Sequence, residues 1–183
     1  MSEAYRWEKL SSEEVDRNKF WAHWRDTFRT PRGRTGPYDY TVHHDAVNVV
    51  GRLDDGRFVM IREYRYLFDR MTLSVAQGGM EPGEDPSACA HREFQEETGY
   101  KAERMTELGV LWSAPAFSKE RFFVFLAEGL SPAERLDNEE IEEVIVMSKE
   151  EVEAAMRTGE FADSHGIAAW QMAMVYLERG STG

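Results

Sequence analysis

The chain has 183 residues, of which 42% are hydrophobic and 12% aromatic, enough for one globular domain with a sizeable core. Its 22 Lys and Arg against 34 Asp and Glu give a formal net charge of −12, which argues against nonspecific binding to nucleic acid or to anionic membranes. A single cysteine, Cys89, rules out an internal disulfide, and no apolar stretch is long enough to span a bilayer or resembles a signal peptide. We therefore expect a cytoplasmic protein.

Alternating or continuous apolar runs between turn formers predict most of the β-structure in chain order. The strands are expected at residues 20–28, 38–44, 46–50, 57–64, 73–76, 105–112, 121–126 and 143–147. The sequence Asp54-Asp55-Gly56 between the third and fourth of these strands is a strong hairpin signal. The strand at 73–76 is expected to end in Gly78-Gly79.

Capping residues mark two of the three predicted helices. Asp85 at the N-cap, Pro86 at the first helical position and Gly99 just past the end predict a helix between them. Ser148 and Glu151 form a capping box for a second helix that ends near residue 157.

A third helix is predicted at residues 166–178, where apolar residues recur at helical spacing and are expected to pack on the sheet. Because strands and helices alternate without regular βαβ repeats, we predict one mixed α/β or α+β domain. This domain is expected at residues 45–183. Residues 1–44 are expected to form an aromatic-rich N-terminal extension of antiparallel strands.

Acidic residues cluster on the helix that begins after Asp85. Glu93, Glu96 and Glu97 stand at positions i, i+3 and i+4, so their carboxylates share one face. Three like charges side by side are unfavourable unless a positive group lies between them. Carboxylate oxygens without nearby histidine ligands suit a hard cation, Mg²⁺ or Mn²⁺. The alternative interpretation is a solvated acidic helix face.

The spacing around this cluster favours the metal-binding interpretation. Gly78 is followed by five residues, Glu84, seven residues, and then Arg-Glu-Phe-Gln-Glu-Glu-Thr-Gly-Tyr at residues 92–100. This segment resembles the Nudix box, the signature of the Nudix hydrolases, and every fixed position is met. The resemblance implies an α/β/α sandwich around a mixed sheet. It also implies hydrolysis of a nucleoside diphosphate linked to another group.

The resemblance also implies roles for the residues of the box. Two or three Mg²⁺ or Mn²⁺ ions would be held by the carboxylates of the cluster and one backbone carbonyl: Glu93, Glu96, Glu97 and Gln77. Arg92 would be a catalytic residue that orients the box together with Glu84. Gly78 and Gly99 would be structural.

Outside the box, the chain is similar to ADP-ribose pyrophosphatases and related nucleotide-sugar hydrolases. Arg62-Glu63-Tyr64-Arg65-Tyr66 resembles their Gln-Tyr-Arg element, with Glu63 standing where glutamine is usual. Pro115 stands where these enzymes tend to carry a proline, and the segment from Ser118 to Glu120 resembles the Ser-x-Glu segment that follows it in them. The resemblance implies that Arg65, Glu63 and Glu120 contact the substrate.

The same resemblance gives the N-terminal extension two roles. Phe20 and Trp21 would stack on the base of the substrate, and the strands of residues 1–44 would pack across a homodimer. The alternative is that these aromatics are ordinary core or interface residues.

The expected reaction is attack of water on one phosphorus of a pyrophosphate, with cations neutralising the developing charge. The resemblance implies a general base in the acidic loop of residues 137–143, with Glu139 as the first choice and Glu140 as the second. The alternative is a solvated acidic turn. Two other functions compete: hydrolysis of nucleoside triphosphates or dinucleoside polyphosphates, and non-catalytic binding of nucleotide sugars for regulation.

Overall fold

The computed structural model describes residues 5–135 and 141–180. The described strands are β1 Glu8–Arg17, β2 Trp21–Arg29, β3 Thr35–His43, β4 Ala46–Arg52, β5 Phe58–Arg65, β6 Arg70–Ser74, β7 Ala76–Gly79, β8 Tyr100–Trp112, β9 Ser118–Lys119, β10 Arg121–Pro132 and β11 Ile141–Met147. The described helices are α1 Pro86–Thr98, α2 Lys149–Thr158 and α3 Ser164–Gly180, with a 3₁₀ turn at Tyr66–Phe68. Two compact units are present: a smaller unit, Met1–His44 with Trp112–Arg121, and a larger unit, Asp45–Leu111 with Phe122–Gly183.

The smaller unit is built on a four-stranded sheet in the order β1-β2-β3-β9. The first three strands are antiparallel, as expected for the N-terminal extension, and β9 pairs with β3 in parallel. Strand β1 was not predicted, because all ten of its residues are exposed and its sequence, EKLSSEEVDR, carries no apolar alternation. Its pairing with β2 defines it as a strand.

The larger unit contains a mixed seven-stranded sheet. Its main order is β11-β5-β4-β10-β8, with β6 paired to β5 and β7 paired to β4. Strands β4 and β10 are parallel, while β4 and β5 form the predicted antiparallel hairpin, whose turn places Gly56 at a φ of +87°. Only glycine adopts this backbone conformation without strain.

One predicted strand was wrong in its extent. The run at residues 73–76 belongs to two strands, β6 and β7, which separate at Val75. At Val75 the hydrogen-bonding partner of the chain changes from β5 to β4, so residues 73–76 take part in two different pairings. Strands β8 and β10 are also longer than predicted, because their added residues are too polar to stand out as strand signals.

Two hydrophobic clusters fill the two faces of the larger sheet. Strand β4 contributes Val47 and Val49 to the face that packs on α1, and Val50 to the face that packs on α2 and α3. This alternation follows from the two-residue period of a strand. On the second face the rings of Phe58 and Trp170 lie 4.5 Å apart. The predicted α/β/α sandwich with a mixed sheet is confirmed.

The predicted caps hold α1 and α2 in place. The side chain of Asp85 accepts hydrogen bonds from the backbone N–H groups of Ser87 and Ala88, and Gly99 ends α1 in the left-handed conformation. Both hydrogen bonds of the capping box between Ser148 and Glu151 are present. Within the described residues, no helix is both long and apolar enough to cross a membrane.

Cys89 provides a test of how tightly α1 packs on the sheet. Its side chain is fully buried, and burial raises the pKa of its thiol to about 12, so thiolate is scarce at neutral pH. Because the thiolate is the nucleophile, we expect Cys89 to react with a disulfide reagent more than about a hundredfold more slowly in the native than in the urea-unfolded protein at pH 8. Equal rates in the two states would contradict this packing.

Candidate active site

Helix α1 presents its three acidic residues at different depths. Glu97 is only 8% exposed, whereas the side chains of Glu93 and Glu96 are 14% and 35% exposed. Phe94, on the same helix, is buried between α1 and the sheet, which fixes the rotation of the helix. The acidic face is therefore turned toward the end of strand β7.

Strand β7 approaches this face closely at Gly78. A Cβ atom at that position would overlap the carboxylate of Glu93, so a larger residue would force this carboxylate to move. At the neighbouring Gly79, a Cβ atom would meet nothing within 4 Å. The first glycine of the box thus leaves the space that the Glu93 carboxylate occupies.

Arg92 connects the box through its guanidinium group. Its Nε and Nη2 atoms donate to the two carboxylate oxygens of Glu84, each at 3.0 Å. Its Nη1 atom donates to Glu93 at 2.6 Å and to Glu96 at 3.3 Å. The two hydrogen bonds from Arg92 to Glu84, with a further one from the backbone N–H of Glu81, lower the pKa of Glu84 to about 2. Glu84 is therefore a permanent anion that fixes the arginine.

Within residues 5–135 and 141–180, Glu97 forms no ion pair with a lysine or an arginine. Its Oε2 atom accepts a hydrogen bond of 2.9 Å from the backbone N–H of Gln77. Burial raises its pKa to about 8, and the charges of Glu63 and Glu93 add to the effect. Burial likewise raises the pKa of Glu93. A bound cation would relieve the cost of ionising these carboxylates.

The donor set therefore fits a hard divalent cation. It consists of carboxylate oxygens on α1 with the backbone of β7 beside them, and oxygen ligands of this type suit Mg²⁺ or Mn²⁺. Within residues 5–135 and 141–180, no three His, Cys, Asp or Glu side chains already converge as a ready ligand set. Instead, Glu93 and Glu96 are held by Arg92, and Glu97 is held by Gln77.

A second charged group lies next to the box. Glu63 of β5 is 3% exposed, and its Oε1 atom lies 2.6 Å from Nη2 of Arg65. The side-chain amide of Gln77 donates to the same Glu63 oxygen at 3.4 Å. Burial raises the pKa of Glu63 even though the charge of Arg65 opposes it. Contacts thus run from Glu97 through Gln77 and Glu63 to Arg65.

Arg65 also lines a cavity of about 160 Å³ in the larger unit. The other lining residues are Phe68, Arg70, Thr72, Ala162 and Asp163. The sequence analysis did not identify Asp163, whose carboxylate accepts a hydrogen bond of 2.7 Å from the backbone N–H of Gly166. Its position just before the first residues of α3 is an N-terminal helix signal that could have marked it.

The smaller unit contains a separate cavity of about 480 Å³, and Glu120 is one of its lining residues. Its aromatic lining residues, which the sequence analysis did not single out, are Tyr38, Tyr40, Trp112 and Phe117. They are distant in sequence, so no local motif links them.

Phe20 and Trp21 are not among the residues that line that cavity. Phe20 is 64% exposed, with the Lys19 ammonium 4.5 Å from its ring centroid, and Trp21 is half-buried. Their assignment to base stacking stays a prediction. The expected general bases, Glu139 and Glu140, lie outside the described residues.

Comparison with known proteins identifies the family. The model of the NUDIX domain matches residues 42–170. An ADP-ribose pyrophosphatase of Bacillus subtilis (strain 168) is 33% identical over 144 residues, which cover 77% of this chain and 78% of the relative. An ADP-ribose pyrophosphatase of Mycobacterium tuberculosis (strain ATCC 25618 / H37Rv) is 33% identical over 165 residues, which cover 88% of this chain and 80% of the relative.

The fold is shared with a solved structure as well. The crystal structure of an ADP compounds hydrolase superposes with a TM-score of 0.85 over 96% of both chains, at 22% sequence identity. The resemblance identified from the box is therefore confirmed along most of the chain. The chain belongs to the Nudix hydrolase family.

Proposed function

We propose that this protein hydrolyses the pyrophosphate bond of ADP-ribose, or of a closely related nucleoside diphosphate sugar, with the help of a divalent cation. The products are a nucleoside monophosphate and a sugar phosphate. The observation that carries the proposal is the complete box, with Glu93, Glu96 and Glu97 on one face of α1 and Glu97 buried, where its carboxylate accepts a hydrogen bond from a backbone N–H. The names of the Bacillus and Mycobacterium relatives support ADP-ribose as the substrate.

The residues that would hold Mg²⁺ or Mn²⁺, as two or three ions, are the three glutamates and the backbone carbonyl of Gln77. When bound, such ions neutralise phosphate charge and lower the pKa of a coordinated water. Arg92 and Glu84 orient the carboxylates, since one guanidinium contacts Glu84, Glu93 and Glu96. Gly78 keeps the carboxylate of Glu93 in place by leaving room for it.

Arg65 supplies a fixed positive charge to the pyrophosphate, in the manner of arginine–phosphate pairs elsewhere. Water forms the new bond to one phosphorus, and the bridging oxygen leaves with the other phosphate. The proton of the water passes to Glu139 or Glu140, the acidic residues expected to act as general base.

The smaller unit is assigned to substrate selection and assembly. Phe20 and Trp21 are proposed to stack on the base, with Glu120 contacting the substrate from the cavity that it lines. Residues 1–44, with residues 45–183 as the Nudix domain, are proposed to form the contact of a homodimer. The exposed aromatic side chains of Trp7, Phe20 and Tyr38 support an interface.

Net charge and cysteine content support the remaining assignments. An excess of twelve negative charges supports a protein that binds neither nucleic acid nor membranes. The single buried thiol of Cys89 supports a cytoplasmic location.

The substrate is tested by incubating the purified protein with Mg²⁺ and a panel of ADP-ribose, GDP-mannose, dinucleotides and nucleoside triphosphates. We expect AMP and ribose 5-phosphate from ADP-ribose, identified by chromatography. Release of pyrophosphate from triphosphates at a higher kcat/KM would favour the triphosphate hydrolase instead. Nucleotide binding without any turnover would favour the regulatory module.

Glu97→Gln separates catalysis from stability. Loss of one carboxylate ligand should lower kcat/KM by more than about a hundredfold. The neutral amide should leave the urea midpoint of the metal-free protein unchanged or higher, because burial disfavours the charged form of Glu97. Glu107→Gln, on the exposed part of β8, is the control and should alter neither quantity. Wild-type turnover in Glu97→Gln would refute the proposed metal site.

The two glycines of β7 give a matched pair. Gly78→Ala should lower kcat/KM by more than about tenfold and weaken Mg²⁺ binding in calorimetry, because the new Cβ displaces the carboxylate of Glu93. Gly79→Ala should stay within about twofold of the wild type, since its Cβ would meet nothing within 4 Å. Equal activities of the two variants would show that the close approach at Gly78 is unimportant.

A further inference from the structure

We propose that Glu63 acts as a positioning residue: it holds the guanidinium of Arg65 against the 160 Å³ cavity and does not itself contact the substrate. The proposal rests on the proposed function, because it assumes that Arg65 contacts the pyrophosphate. It revises the direct substrate contact expected for Glu63 from the sequence.

Glu63 holds the guanidinium in position, and Arg65 is the residue that a ligand can contact. The carboxylate of Glu63 is inside the protein, with its side chain 4% exposed, while the side chain of Arg65 is 34% exposed. They meet at 2.6 Å, and they stand two residues apart on β5, so their side chains share one face of the strand. A ligand in the cavity would therefore reach the arginine, and the carboxylate would lie behind it.

Glu63 is itself held by a hydrogen bond. The same Oε1 atom of Glu63 accepts a hydrogen bond from the side-chain amide of Gln77, whose backbone N–H contacts Glu97. One residue, Gln77, thus joins the acidic cluster of the box to the pair that presents Arg65. In the absence of a bound cation, this connection links the arginine to the proposed cation ligands.

Burying the ionised carboxylate of Glu63 costs free energy, which argues against a purely structural role for it. An ionised group removed from water loses hydration that a single ion pair rarely restores in full. An arginine without an anchor would sample many rotamers, and ordering it on binding would cost conformational entropy. A charge-assisted hydrogen bond to Glu63 keeps the guanidinium in one orientation before the substrate arrives.

The charged groups around Arg65 support this assignment. Asp163 and Arg70 line the same cavity, but Arg70 donates through Nη2 to the backbone carbonyl of Gly159 at 2.7 Å. Asp163 accepts from the N–H of Gly166. Asp163 also lies 3.8 Å from Nδ1 of His165. Arg70 and Asp163 therefore each have other partners, whereas Arg65 pairs with Glu63.

The test is a double-mutant cycle with Glu63→Ala and Arg65→Ala, assayed on ADP-ribose with Mg²⁺. Glu63→Ala should raise KM by about tenfold while kcat stays within about threefold, since a lost charge-assisted hydrogen bond weakens binding of ground and transition states alike. The double variant should be no worse than Arg65→Ala alone, because Glu63 acts through the arginine. Glu63→Gln, which retains an acceptor oxygen, should restore KM to within about threefold.

Binding of a methylene-bridged ADP-ribose analogue, measured by calorimetry, gives a readout independent of turnover and should weaken in parallel with KM. Glu128→Ala, which removes another carboxylate paired with arginines, is the control and should leave KM and analogue binding unchanged.

Three results would overturn the proposal. A wild-type KM in Glu63→Ala, or additive losses in the double variant, would show that Glu63 does not act through Arg65 while the proposed function stands. A wild-type protein that neither cleaves ADP-ribose nor binds the analogue would overturn both proposals.

Discussion

The rest of the site depends on one constraint: like charges are held close together and partly out of water. Glu93, Glu96 and Glu97 share one face of α1, and the fold buries Glu97 almost completely. The guanidinium of Arg92 donates to Glu93 and Glu96, whereas Glu97, the deepest of the three, accepts a hydrogen bond from the backbone N–H of Gln77. The arrangement is therefore short of positive charge, and a divalent cation is the group that would supply it.

Helix α1 and strands β7 and β5 hold these charged groups next to one another. The buried ring of Phe94 and the cap at Asp85 fix the rotation and the start of α1, and Gly78 brings β7 against the carboxylates. Strand β5, which pairs with the same edge of β4 as β7 does, carries Glu63 and Arg65 to the same group through Gln77. The residues proposed to contact the substrate and to hold the cation thus lie on one helix and on strands of one sheet, which are more rigid than loops.

How much was predictable from sequence depends on how local each feature is. The caps at Asp85 and Ser148 and the hairpin turn at Gly56 follow from a few adjacent residues, and all three are present. Strand β1 has no apolar period, so only its pairing partner defines it. Spacing placed three glutamates on one face but did not indicate that Glu97 is the deepest. That depth comes from packing between elements distant in sequence.

The most direct test of the central claim is a crystal structure of the protein grown with Mn²⁺, with the ion located by its anomalous scattering. The account predicts ions roughly 2.0–2.3 Å from carboxylate oxygens of Glu93, Glu96 and Glu97, at the expense of the hydrogen bonds that Arg92 and Gln77 now make to them. The account would be contradicted if, at saturating Mn²⁺, these carboxylate oxygens bound no ion and kept their hydrogen bonds to Arg92 and Gln77.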